Sequence, residues 1–283
     1  GRLIVAIGQQ QLSMEEFNLI RKLVYDRFGI HLNEQKKSLV VERLQKTLRT
    51  GQFESFRAYY DYVVSDRSGR ALLELVDRIS TNHTHFFREK DHFVFMQTTW
   101  LPALKKAAQT AGKKKDIRIW SAGCSSGEEP YTIAMLLADQ FEMDGSGWDI
   151  GILATDISTT VLEKAQAGLY SDSQLEQVPD VYKRKYFRPA GDGLYSVAPV
   201  IKDLVMFRRL NLMNAEYPFK GQFQIIFCRN VMIYFDEPVR EGLLARYHRY
   251  LEPNGYLFIG HSESIGRDNK YFRFIRPAIY QKI

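Results

Sequence analysis

Trp120-Ser-Ala-Gly-Cys-Ser-Ser-Gly-Glu-Glu-Pro130 is the stretch whose reading decides the fold. It leaves residues 116–121 (DIRIWS), short and apolar enough to predict a strand, and enters residues 129–141, whose apolar spacing predicts a helix. A glycine-bearing turn from strand to helix marks a ligand site in an open α/β sheet, because ligands bind outside the carboxyl ends of the strands. The same rhythm continues downstream. Residues 148–156 (WDIGILATD) read as a strand and 159–167 as a helix; strands recur at 205–212, 223–228 and 256–260, with a helix over 238–250. Alternation of this kind predicts a mostly parallel, doubly wound sheet covered on both faces. Residues 272–275 and 278–281, around Pro277, read as a terminal hairpin. Between Ser171 and Asp203 the rhythm breaks at Pro179, Pro189, Gly191, Gly193 and Pro199, which predicts a small antiparallel insertion.

Upstream the pattern is helical. Phe17, Ile20, Leu23 and Val24, then Leu39, Val40, Leu44 and Leu48, then Leu72, Leu75, Val76 and Ile79 recur at spacings of three and four. Ser13 with Glu16 three residues on is a capping-box start, and Gly29 and Gly51 fall where helices should stop. The expected domains are an all-α unit over residues 1–80 and an α/β unit over 81–283. The length of 283 residues agrees, at roughly 150 residues per domain. With 45% hydrophobic and 25% charged residues the chain is an ordinary globular one, so disorder and fibrous repeats are excluded. Its longest apolar runs are far too short to cross a bilayer, and the polar Gln9-Gln10-Gln11 after the first speaks against a secretory signal. Two distant cysteines, Cys124 and Cys228, make neither a disulfide scaffold nor a zinc pattern, so a cytoplasmic setting is expected. A formal charge of +6 admits an anionic partner without choosing one.

Three chemistries can use the turn. Dinucleotide binding wants G-x-G-x-x-G, but Ser121 stands at the first glycine, and Glu128 and Glu129 would repel a phosphate at the helix N-terminus. A hydrolase elbow matches Gly123-Cys-Ser125-Ser-Gly127, with Asp236 and His261 following in order. The topology opposes it, since several strands should precede such an elbow and everything upstream is helical. S-adenosylmethionine is cationic and carries no phosphate; Gly123 permits close backbone approach, and Asp156, ending the second strand, suits the ribose diol. The bland alternative is that Glu128, Glu129 and Pro130 simply suit a first helical turn.

These residues carry a resemblance. Residues 119–131, Ala154-Thr-Asp-Ile-Ser158, residues 226–236, Gly260-His-Ser-Glu263 and Thr81-Asn-His-Thr-His-Phe-Phe-Arg-Glu89 are similar to the CheR family of chemotaxis receptor methyltransferases. The resemblance covers essentially the whole chain. It implies a Rossmann-like methyltransferase fold and methylation of receptor glutamates with S-adenosylmethionine, giving S-adenosylhomocysteine. It further implies cofactor contacts at Asn82, Thr84, Arg88, Gly123, Glu129, Asp156, Asn211, Leu212, Arg229 and Asn230. Arg88 would hold the incoming carboxylate and Tyr234 would position donor or acceptor; otherwise Arg88 would be a surface ion-pair residue and Tyr234 a core aromatic. The insertion corresponds to residues 186–207, a few residues short of the pattern that docks a receptor-tail peptide, so tethering is not expected.

Lys36, Arg43, Lys46 and Arg49 line the outward face of one N-terminal helix against the single acid Glu42, which makes that face either ordinary solvated surface or a dock for acidic receptor helices. Base methylation is disfavoured because Asn230-Val-Met-Ile-Tyr lacks the Pro-Pro-Tyr used for base amines, and no aromatic-interleaved basic strand occurs. A non-catalytic receptor adaptor would lack the cofactor residues. His83, His85 and His92 have no metal-ligand spacing, so no metal is expected. The expected partner is therefore the cytoplasmic domain of a methyl-accepting receptor, met by a monomer without membrane insertion.

Overall fold

The computed structural model describes residues 10–80, 83–110, 112–141 and 147–283. Two compact units emerge: Gly1–Asn82 with Tyr234–Val239, and His83–Ile233 with Arg240–Ile283.

The first unit holds helices α1 (Met14–Phe28), α2 (Lys37–Thr50), α3 (Phe56–Ser65) and α4 (Arg70–Ile79). The Ser13 hydroxyl accepts the Glu16 N–H at 3.1 Å while the Ser13 N–H donates to the Glu16 carboxylate at 2.9 Å, so the capping box satisfies two donors that the first turn would leave open. Phe17, Ile20, Val24, Val40, Leu44, Leu48, Leu75, Val76 and Ile79 are buried, as their spacing requires. Leu23, Leu39 and Leu72 stay half-buried at the rim. The unit also takes in a segment from far along the chain. Ile30 and Phe235 form an antiparallel bridge, the His31 N–H donates to the Tyr234 carbonyl at 2.7 Å, and the Tyr25 hydroxyl donates to Asp236 Oδ2 at 2.8 Å.

The second unit begins with α5 (Asp91–Phe95), which runs through one π-turn, Met96–Trp100, into α6 (Leu101–Ala108). Pro102 sits at the start of α6 and has no N–H for the preceding turn, which accounts for the widened coil there. Then follow β1 (Asp116–Ala122), α7 (Glu128–Phe141), β2 (Asp149–Asp156), α8 (Thr159–Ala167), β3 (Leu169–Ser171), α9 (Asp180–Tyr186), β4 (Phe187–Gly191), β5 (Leu194–Val197), α10 (Pro199–Lys202), β6 (Val205–Arg209), β7 (Phe223–Cys228), α11 (Glu237–Tyr250), β8 (Leu251–Ile259), β9 (Phe272–Arg276) and β10 (Ile279–Lys282).

The main sheet has the order β6-β2-β1-β7-β8-β10-β9. Its first five strands are parallel, and the terminal hairpin adds β10 antiparallel beside β8. Direction of travel reverses between β1 and β7, which puts the ligand crevice at their carboxyl ends. Along β1, alternate side chains serve opposite faces. Helices α7 and α8 pack on β2 and β6, and the α7 residue Tyr131 meets Phe207 of β6 at 5.6 Å between ring centroids. On the other face Trp120 is enclosed by Tyr217, Phe219, Phe223 and Tyr247. On this face the cover is not helical alone. The crossover from β6 to β7 carries no helix; its aromatics Tyr217 and Phe219 cover Trp120 instead, and Met206 on β6 remains 54% exposed.

A second sheet, order β3-β5-β4, is antiparallel. It draws on Leu169–Ser171, ahead of the 186–207 stretch expected as the insertion, while Val205–Arg209 joins the main sheet as β6. No helix among the described residues is long and apolar enough to cross a membrane.

Candidate functional site

The turn after β1 is fastened to the end of β2. Gly123 and Cys124 both donate their N–H to the Thr155 carbonyl, at 2.9 and 2.8 Å, and Ser125 donates its N–H to Asp156 Oδ2 at 2.9 Å. Asp156 Oδ1 accepts from the Ser158 N–H at 3.0 Å. Its carboxylate is thus fixed in place, and a carboxylate so held can accept further hydrogen bonds from a ribose diol. Gly123 has φ +78°, and a Cβ there would lie 2.5 Å from Val231 Cγ2, so only glycine lets the turn close on the loop after β7.

Glu128 and Glu129 open α7 as read from the sequence, but both are buried and neither is an unopposed charge. The Ser126 hydroxyl bonds the Glu128 carboxylate at 2.7 Å, and burial pushes that carboxyl above its ordinary range. Glu129 Oε1 accepts from the Ser121 hydroxyl at 2.7 Å and Oε2 from Arg229 Nε at 2.8 Å. Arg229 thus counters the acidity that the sequence assigned to the cleft. Its guanidinium also donates Nη1–H to the Arg88 carbonyl at 2.6 Å, lies 3.3 Å from His92 Nδ1, and stands over the Phe93 and Phe227 rings.

The segment bearing Thr84 and Arg88 is pinned by its neighbours. Phe86 is buried against Tyr170 and Phe187, and the Phe87 N–H donates to Thr132 Oγ1 on α7. Thr84 and Arg88 are half-buried, and Arg88 Nη1 donates to the His83 carbonyl. Among the described residues Arg88 forms no ion pair with Glu89 or Asp91; Glu89 instead accepts from the His261 N–H at 3.2 Å and lies 3.8 Å from Arg229. His92 is fully buried, stacked on Phe258, and comes together with Glu89 and His261 rather than with the exposed His83 and His85. The guanidinium of Arg229 supplies the positive charge among these three. Burial first, and then the Arg229 charge, push the His92 imidazole down to about 3, so it is neutral at physiological pH.

Asn230 follows β7 at φ +60° and is half-buried. Asn211 and Leu212 follow β6; Asn211 Oδ1 accepts from the Met213 N–H at 3.0 Å, and the Leu212 carbonyl accepts from Tyr217 and Arg246. Thr84, Arg88, Gly123, Glu129, Asp156, Asn211, Leu212, Arg229 and Asn230 therefore all belong to one compact unit. Tyr234 belongs to the helical unit, and Asn82 lies outside the described residues. Lys36, Arg43, Lys46 and Arg49 are exposed along and just ahead of α2. Sequence reading assigned no role to Ser121, Glu89, His92 or Glu263. Ser121, Glu89 and Glu263 lie within the motifs that carry the resemblance; Glu89 and Glu263 bond to segments far away in sequence, and Ser121 meets Glu129 only because the turn folds α7 back against β1.

The site suits a cationic nucleoside. A fixed carboxylate ends β2, a glycine turn presents backbone, and Ser125 Oγ is buried with no hydrogen-bond partner among the described residues. That donor set and sheet define an S-adenosylmethionine-binding methyltransferase. Residues 82–280 match the family described as CheR methyltransferase, SAM binding domain, and residues 15–80 match CheR methyltransferase, all-alpha domain. A chemotaxis protein methyltransferase of Borreliella burgdorferi is 44% identical over 96% of this chain and 95% of its own length. One from Escherichia coli is 36% identical over 95% of this chain and 91% of its own. The chain belongs to the CheR methyltransferase family, and its activity is S-adenosylmethionine-dependent methyl transfer in chemotaxis.

Proposed function

We propose that the acceptors are glutamate side-chain carboxylates on the cytoplasmic helices of methyl-accepting chemotaxis receptors, which become methyl esters. The observation that carries this reading is Asp156, locked by Ser125 and Ser158 at the end of β2 beside the Gly123 turn, in a chain of this family. When bound, S-adenosylmethionine supplies a methyl group on a cationic sulfur and leaves as S-adenosylhomocysteine. A glutamate carboxylate is already ionised and nucleophilic at neutral pH, so the protein needs no general base. Its task is alignment and exclusion of water.

Asp156 takes the ribose hydroxyls, and Thr84, Gly123, Glu129, Asn211, Leu212, Arg229 and Asn230 complete the cofactor site. Arg88 uses its remaining N–H donors to hold the incoming carboxylate by charge-assisted bonds. Lys36, Arg43, Lys46 and Arg49 dock the acidic receptor helix. The enzyme works in the cytoplasm as a monomer, without tethering to a receptor tail.

Incubation with radiolabelled S-adenosylmethionine and receptor cytoplasmic fragments tests this. Base-labile label is expected; base-stable label would identify N-methylation and refute a carboxylate acceptor. In the same assay R43E/K46E should lower receptor methylation while leaving cofactor affinity unchanged, and undiminished methylation would remove the docking role.

A further inference from the structure

The motif Gly260-His-Ser-Glu263, which follows β8, carries part of the resemblance, but its glutamate has been given no role. Its glutamate reaches back. Glu263 Oε1 accepts two backbone N–H groups at once, from Asn230 at 2.7 Å and from Gly260 at 2.8 Å, while the Glu263 N–H closes the turn on the Gly260 carbonyl at 2.9 Å. One oxygen thus joins the carboxyl ends of β7 and β8, the edge on which the cofactor site is built. Asn230 needs such a hold, because a non-glycine residue at φ +60° pays a conformational cost that its surroundings must outweigh. The fit is tight. A Cβ on Gly260 would come within 2.5 Å of Asn230 Oδ1 and 2.9 Å of Glu263 Oε1, so the three residues close on one another with no space for a side chain.

We infer that Glu263 is a positioning residue for methyl transfer: its carboxylate clamps the loop after β7 to the loop after β8 and so holds Asn230 in its left-handed turn within the cofactor site. The inference rests on the assignment of Asn230 to that site. Glu263 Oε2 is buried without a hydrogen-bond partner among the described residues, so the carboxylate is kept in an environment that burial makes costly. Burial raises its carboxyl above the usual range, against the opposing backbone bonds.

The test compares E263Q, which keeps an acceptor oxygen at the same reach, with E263L, which has none. E263D, one methylene short, stands in if the leucine variant does not fold. Amide hydrogen exchange reads the clamp without any cofactor: the Asn230 and Gly260 amides should be protected in the wild type and in E263Q, and exchange at least tenfold faster in E263L or E263D. Calorimetry with S-adenosylmethionine reads its consequence: Kd should rise at least tenfold in E263L or E263D and stay within about threefold in E263Q. Unchanged exchange at both amides in E263L or E263D, or an equal loss of affinity in the glutamine variant, overturns the inference. Wild-type protein with both amides protected but no affinity for S-adenosylmethionine would uphold the clamp and overturn the cofactor assignment instead.

Discussion

Arg229 Nε donates to Glu129 Oε2 across 2.8 Å, and the two side chains are only 4% and 10% exposed. The pair joins the end of β7 to the first turn of α7. Removing one partner of a buried pair leaves the other charge uncompensated, at about 3–5 kcal/mol. R229M should therefore lose stability of that order, and R229M/E129Q should lose less than the two single changes summed. R229K should not rescue, because an ammonium cannot serve Glu129 and the Arg88 carbonyl together as the planar fork does. Denaturant melts of the wild type, R229M, E129Q, R229M/E129Q and R229K check this; strictly additive losses would show that the pair is not coupled.

Gly123 offers a second test. G123A places a methyl group 2.5 Å from Val231 Cγ2 at φ +78°. It should melt lower and bind S-adenosylmethionine at least tenfold more weakly. In G123A/V231A the clash is gone and only backbone strain of roughly 1–2 kcal/mol remains. Calorimetry on both variants should show partial recovery in the double one, and its absence would mean that Val231 does not limit the turn.

His92 makes a pH prediction. Its imidazole is pushed down to about 3 in the folded protein from an ordinary 6.5, so the unfolded chain binds the extra proton between those values. Stability rises with pH wherever the unfolded state holds more protons. The contribution is complete above about pH 6.5 and is lost progressively toward 3, at up to ~1.4 kcal/mol per pH unit. Urea midpoints at pH 7, 5.5 and 4.5 should fall less steeply for H92F, which keeps the stack on Phe258, than for the wild type. Parallel slopes would mean that His92 titrates normally.

Within the helical unit, the Tyr25 hydroxyl donates to Asp236 Oδ2 at 2.8 Å, and that bond raises the Tyr25 phenol above its usual range. Y25F removes only the oxygen and should lower stability slightly, by the loss of that one bond. A thermal melt of the full chain measures it, and an unshifted midpoint would show that the bond adds nothing.

The capping box at Ser13 and Glu16, the stop at Gly29 and the strand–turn–helix around Gly123 were legible because each is a local device, written within a few residues. Asp156 was legible for the same reason, as the last residue of an apolar run. The rest depends on partners far apart in sequence. Nothing near Arg229 announces Glu129, Arg88 and His92, and Glu263 gives no local sign that it meets Asn230. The cover of Trp120 by Tyr217 and Phe219 was not legible, because apolar periodicity detects helices and strands, whereas these aromatics pack from a segment without periodic structure. Strand β8 begins at Leu251, earlier than its apolar core suggested, since Pro253, Asn254 and Gly255 disguise its irregular pairing with β7.

The borrowing of Tyr234–Val239 by the helical unit has a practical corollary for anyone cutting or recombining this chain. Scissors placed at residue 82 deliver neither half intact: the leading fragment would be missing the strand partner of Ile30 and the acceptor of Tyr25, and the trailing one would carry an orphaned hexapeptide. A chimera that exchanges the helical unit between relatives must transplant both pieces together, because the genetic order of this protein and its mechanical partition do not coincide.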